Sequence, residues 1–152
     1  MTVSTTSISK STSGNGSATS FPYDYKILEA SDLQVIIRSA TGAETIKATS
    51  TYTVTGVGAD SGTIVFNSSN VPASGETVVV TRNVLQTQAI DYIANDPFPA
   101  ETHEEGLDRA TMVIQQVSGD ADRSIKISKT NTMTSTEFTV GPADRANKVL
   151  SF

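Results

Sequence analysis

Apolar and polar positions alternate strictly over residues 21–27, so Phe21, Tyr23, Tyr25 and Ile27 share one side of an extended chain. Such a face is core or interface. Leu33, Val35 and Ile37 repeat the pattern in a second strand, and Thr41-Gly42 offers a turn before a third at 44–47. Residues 52–57 form a fourth, and the glycine-bearing loop 56–62 separates it from a fifth at 63–66, where Ile64 and Phe66 share a face. The turn Val71-Pro72-Ala73-Ser74-Gly75 leads into residues 76–82, whose Val and Thr content suits a half-buried strand. Six short strands at this spacing predict a small antiparallel β-sandwich or barrel, in a chain that is mainly β with one helix.

The helix is written in residues 96–117. Thr102 and Glu105 have capping-box spacing, which predicts a start near His103 after an extended entry through Pro97 and Pro99. Ser118-Gly119-Asp120 offers a glycine stop, giving a helix over 102–118. Leu107, Ala110, Ile114 and Val117 recur at spacings of three, four and three, a narrow apolar stripe. A cap contributes only about 1 kcal/mol, whereas burying Leu107 or Ile114 contributes roughly 1.5–3 kcal/mol each. Packing must therefore hold the helix.

The flanks are weaker. Residues 1–20 are Ser, Thr and Gly with Val3, Ile8 and Ala18 as the apolar content, predicting an arm that is flexible or ordered by a partner. Residues 83–101 have no clean period and read as a long connection pinned by Ile90, Tyr92 and Phe98. After the helix, Ile125 with Ile127 and Phe138 with Val140 alternate in short pieces, and the last residues stop as if a longer protein continued. The expected organisation is an arm at 1–20, a β domain with its connection at 21–101, the helix at 102–118, and a linker at 119–152.

Composition narrows the chemistry. The chain has 152 residues, no cysteine and a formal charge of −5, which removes thiolate chemistry and argues against duplex DNA or an anionic membrane as partner. No apolar run approaches a membrane span, and the N-terminus lacks the apolar segment of a signal peptide. The single histidine, His103, is followed by Glu104 as in a zinc-protease helix, but the second histidine of that motif is replaced by Leu107. Glu101, Glu104 and Glu105 gather at the helix start, where carboxylates complement the dipole; a glycosidase pair is the functional alternative. Asp108 and Arg109 project differently and are expected to bond neighbouring chains or strands rather than each other. Gly56, Gly58 and Gly62 miss the dinucleotide spacing and read as a turn. Arg38 and Arg82 end strands and are expected to make salt bridges or interface hydrogen bonds. No catalytic residue, metal ligand or cofactor is expected.

The order of the pieces resembles the N-terminal virion-attachment region of tail fibres and tail spikes from short-tailed bacteriophages, especially the Autographivirus type. The residues that carry it are Phe21-Pro22-Tyr23-Asp24-Tyr25, Leu33-Gln34-Val35, Tyr52-Thr53-Val54, Ile64-Val65-Phe66, Pro72 with Gly75, and Val78-Val79-Val80-Thr81-Arg82. They continue through Leu107-Asp108-Arg109, Ile114-Gln115-Gln116, Arg123-Ser124-Ile125 and Arg145-Ala146-Asn147-Lys148-Val149-Leu150. The resemblance implies a homotrimeric fibre in the virion tail, made in the host cytoplasm, whose N-terminal domains dock between adaptor and nozzle proteins. Host receptor or polysaccharide would be met by a distal region beyond this chain, so this part is expected to be structural and not an enzyme. The Ser/Thr arm before Phe21 is longer than the family minimum. Within this reading the stripe Leu107, Ala110, Ile114 and Val117 becomes a three-chain seam leading into a short β shaft entry. Docking of the helix on its own sandwich is expected to use the same residues, and the narrowness of the stripe favours the seam. Phe21, Tyr23 and Tyr25 are the candidates for docking on the tail. The alternative is a stand-alone carbohydrate-binding or adhesin β domain, which needs exposed aromatics on one loop face.

Overall fold

Among the described residues, seven strands and one helix follow one another: β1 (Ser9–Ser13), β2 (Ser20–Tyr23), β3 (Leu33–Arg38), β4 (Glu44–Ile46), β5 (Tyr52–Thr55), β6 (Gly62–Phe66), β7 (Thr77–Arg82) and α1 (Ala100–Asp122). The computed structural model describes residues 2–88, 90, 99–126, 128–130 and 132. Tyr92, Phe98, Ile127, Phe138, Val140 and the segment 145–150 lie outside the described residues.

The strands form two antiparallel sheets, β1-β7-β3-β4 and β2-β6-β5, with no closed barrel. Alternation decides which side faces in. Leu33, Val35 and Ile37 on β3 stand beside Arg82, Val80 and Val78 on β7, and these inner positions are buried. Phe21, Tyr23, Tyr52, Ile64 and Phe66 supply the opposing layer, and the two layers share one apolar core with Tyr25 and Ile27. Phe66 meets Phe21 and Tyr52 edge-on at centroid distances of 5.7 and 6.1 Å, the arrangement ring quadrupoles favour. Tyr23 lies over Gly62, its register partner, where any Cβ would collide with the ring; its hydroxyl then donates to Thr55 O at 2.6 Å.

Four expectations change. The arm contains a strand: Ser9–Ser13 pairs with β7 in full register, and Ile8 O accepts Arg82 N at 2.7 Å. Hydropathy misses it because its stabilisation is a backbone ladder, which a Ser/Thr sequence supports as well as an apolar one. The helix starts a turn early, at Ala100, with Pro99 as an extended cap residue making no side-chain cap bond. Thr102 is inside the first turn, so the Thr102–Glu105 box does not form. Gly119 is also inside the helix rather than at its stop; Ile8 lies against it where a Cβ would be. Finally, Ile125 is in an irregular segment and exposed, so the described part of the expected shaft-entry strand is not strand.

Candidate assembly surface

Helix α1 sits at the end of the sandwich where β7 finishes and β3 begins, the end marked by the Leu33–Arg82 pair. Its docked face is Asp108, Met112 and Gln116, all buried and four residues apart. Met112 is fully enclosed and is the apolar anchor. The other two are polar, and each is matched. Asp108 accepts Lys26 Nζ at 2.6 Å on one oxygen and Val3 N at 3.1 Å on the other. Gln116 accepts Val84 N at 2.9 Å. Asp108 and Lys26 are only 7% exposed each, so the low surrounding dielectric makes the pair expensive to break.

A second layer of charge surrounds this contact. Arg82 emerges on the inner face of β7, donates to Lys26 O at 3.2 Å and to Gln115 Oε1, and lies 5.8 Å from the Tyr25 ring centroid. Burial pulls its guanidinium below the ordinary range, with Tyr25 and Asp32 pulling the other way. Tyr25 donates to Val80 O at 2.8 Å, and burial drives its phenol well above the usual value. Arg109 reaches Glu29 at 2.9 Å and Asp32 at 3.9 Å, while Asp32 itself accepts the backbone N–H groups of Leu28 and Glu29. Asp108 and Arg109 thus bond separate strand-end segments of their own domain. Arg38, by contrast, is an exposed strand end.

The stripe read from the sequence lies on the other side. At about 100° per residue, the mean direction of Leu107, Ala110, Ile114 and Val117 is about 180° from that of Asp108, Met112 and Gln116. Leu107, Ile114 and Val117 are 58%, 68% and 51% exposed, and Ala110 is exposed too. Docking on the sandwich therefore does not use the stripe, contrary to expectation. Polar matching chose the docked face, and hydropathy spacing cannot register polar matching. Beside the stripe, Ile90, Gly106, Arg109, Ala110, Val113 and Ile114 line a groove of about 450 Å³. Ile90 pins the connection there: its Cδ1 lies 3.0 Å from where a Cβ on Gly106 would be.

Phe21, Tyr23 and Tyr25 are placed in the core at 0–1% exposure. Their side chains present no surface to a tail protein, which corrects their reading as docking residues: the three rings fill the space between the sheets. Glu101, Glu104 and Glu105 line a shallow cleft with Lys26 and Asp108, whose carboxylate is already committed to Lys26 and Val3. His103 is in the first turn, its backbone N–H donating to Pro99 O. Among the described residues, no group of three or more His, Asp or Glu side chains is placed to hold a metal ion, and no helix is long and apolar enough to cross a membrane. The loop carrying Gly56 and Gly58, both at positive φ, is a turn between β5 and β6. Sequence reasoning missed Lys26 and Gln116 as members of the docking set, whereas Arg82, expected to make a salt bridge or interface hydrogen bond, donates to Gln115 on the helix. The available signal was a four-residue polar–Met–polar spacing on the helix, facing two cations at strand ends.

No family model matches the chain. Among known proteins it is similar to a structural component of a bacteriophage tail. That relative is the tail spike protein of Salmonella phage epsilon15, 41% identical over 120 residues. The match covers 77% of this chain and 11% of the relative, so the chain spans about a tenth of the protein it resembles. The similarity supports a structural phage tail protein and a place in the virion tail.

Proposed function

We propose that the chain is the tail-proximal, N-terminal module of a homotrimeric tail spike or fibre, holding it to adaptor and nozzle proteins of a short-tailed phage. It is made in the host cytoplasm and acts without cofactor or catalysis; a host-surface receptor is met through a distal region. The observation that carries the reading is the division of α1 into two faces. The domain satisfies one face completely and leaves a heptad-spaced apolar stripe uncovered, a seam of the type that parallel helices bury against one another. Similarity to a tail spike protein supports the same reading. The non-enzymatic part is supported by Asp108 being held in an ion pair, which takes it out of any carboxylate pair in its cleft. A carbohydrate-binding domain gains little support. The described aromatics Phe21, Tyr23, Tyr25, Tyr52 and Phe66 are all buried, and none offers a stacking platform.

Ile114→Asp tests the seam. Its side chain faces away from the sandwich, so the variant is expected to keep native β-sheet circular dichroism while its mass in solution falls from trimer to monomer. Persistence of the trimer in the variant, or a wild-type chain that is monomeric with its distal region attached, would overturn the proposal.

A further inference from the structure

The residues before β1 follow the helix. Val3 N donates to Asp108 Oδ1 at 3.1 Å, Thr5 O accepts Gln115 Nε2 at 2.9 Å, and the Ile8 side chain abuts Gly119. These contacts advance together along both segments. Five extended residues from Val3 to Ile8 cover about 16 Å at ~3.3 Å each, and eleven helical residues from Asp108 to Gly119 cover about 16 Å at 1.5 Å each. The segment is thus laid parallel to α1 over three helical turns. Its other edge is bound to the sheet. Ile8 O accepts Arg82 N at 2.7 Å and Thr81 Oγ1 at 3.2 Å, so one residue joins the β7 end by its carbonyl and the helix end by its side chain. Thr5 Oγ1, between the two, is closed off from solvent with no hydrogen-bond partner among the described residues.

We propose that residues 2–8 are a clasp that fixes α1 on the sandwich and sets the direction in which its uncovered stripe points. Gly119 is the keeper of the clasp. A glycine inside a helix costs about 1 kcal/mol relative to alanine, and here it leaves the space that Ile8 enters. The helix docks through one enclosed apolar side chain, Met112, and a set of polar contacts, so its position is set by geometry rather than by a broad greasy face. The clasp stands on these contacts alone; only its consequence for the seam rests on the proposed function.

The test reads amide hydrogen exchange of α1 and of β3 and β7 separately, in the wild-type chain and in the Ile114→Asp background so that oligomer state does not enter. Val3→Pro with Ile8→Ser removes one donor and one side chain while keeping the Ile8 carbonyl. Exchange across α1 is expected to accelerate by about tenfold or more with β3 and β7 unchanged. Wild-type rates in α1, or an equal rise in helix and strands, would overturn the clasp. A second measurement covers failure of that variant to fold. The chain has no cysteine, and a Cβ at 119 would lie 3.6 Å from Ile8 Cγ1, where a cysteine sulfur at position 8 would stand. Ile8→Cys with Gly119→Cys is expected to close an intramolecular disulfide that slows exchange in α1 and releases it on reduction. Failure of the pair to close, or no change in α1 on closing, would contradict the proposal.

Discussion

Single residues bear the contact between helix and sandwich, and the buried Lys26–Asp108 pair bears the most. Removing one partner leaves the other charged and desolvated, so Lys26→Met is expected to cost roughly 3–5 kcal/mol in urea unfolding. Adding Asp108→Leu should recover most of that loss, because an apolar pair of similar volume needs no compensation. A double variant no more stable than Lys26→Met would show that the carboxylate's bond to Val3 N matters more than its charge. Tyrosines set the alkaline limit. Burial raises the Tyr23 phenol from 10.0 to about 12, and Tyr25 and Tyr52 move in the same direction. Above pH 10 an unfolded tyrosine releases a proton that the folded Tyr23 retains, so the folded state binds more protons and stability falls as pH rises through that window. Phenolate absorbance of these residues should appear together with loss of sheet signal. Their titration near pH 10 with the fold intact would contradict their placement between the sheets.

At the scale of elements, the helix offers the sharpest contrast because its most hydrophobic stripe is not its docked face. Met112→Ala is expected to cost about 2–5 kcal/mol, as for a fully enclosed side chain. Ile114→Ala should stay within about 0.5 kcal/mol in the monomer. Equal costs in chemical unfolding would place both residues on a docked face. The difference also shows what could be read from the sequence. Strands β2, β3, β6 and β7 were legible because each buries every second residue, as in Leu33, Val35 and Ile37, whereas β4 is exposed throughout and was legible only from the turn at Thr41-Gly42 before it. β1 was not, because SKSTS has no apolar residue and is held by its ladder to β7. The helix was legible, yet its ends were displaced: Ala100 and Glu101 extend it back to Pro99, and Gly119 serves a close approach instead of a stop. The docked face was invisible for a plain reason. Hydropathy patterns register burial of apolar groups, while Asp108 and Gln116 are buried through matching to Lys26, Val3 and Val84.

For the whole molecule, the proposed function puts the two-sheet domain, the clasped helix and the uncovered stripe into one arrangement, in which three copies would direct their helices inward while their sandwiches face outward to the tail. In that proposed arrangement the core aromatics would contribute rigidity, and contact with other tail proteins would fall to the sheet exteriors and loops. The arm belongs to the fold, its strand β1 pairing with β7. Deleting residues 2–13 removes the strand beside β7 and is expected to destabilise the isolated domain, detectable by chemical unfolding before any virion is assembled; unchanged unfolding would show β1 to be dispensable. The most direct measurement is an image of the intact virion tail at a resolution that traces α1. Three copies of this domain are expected around the axis where the spike joins the tail, with Leu107, Ala110, Ile114 and Val117 turned toward one another. A domain located at the distal tip, or three helices at the junction with that stripe facing solvent, would contradict it.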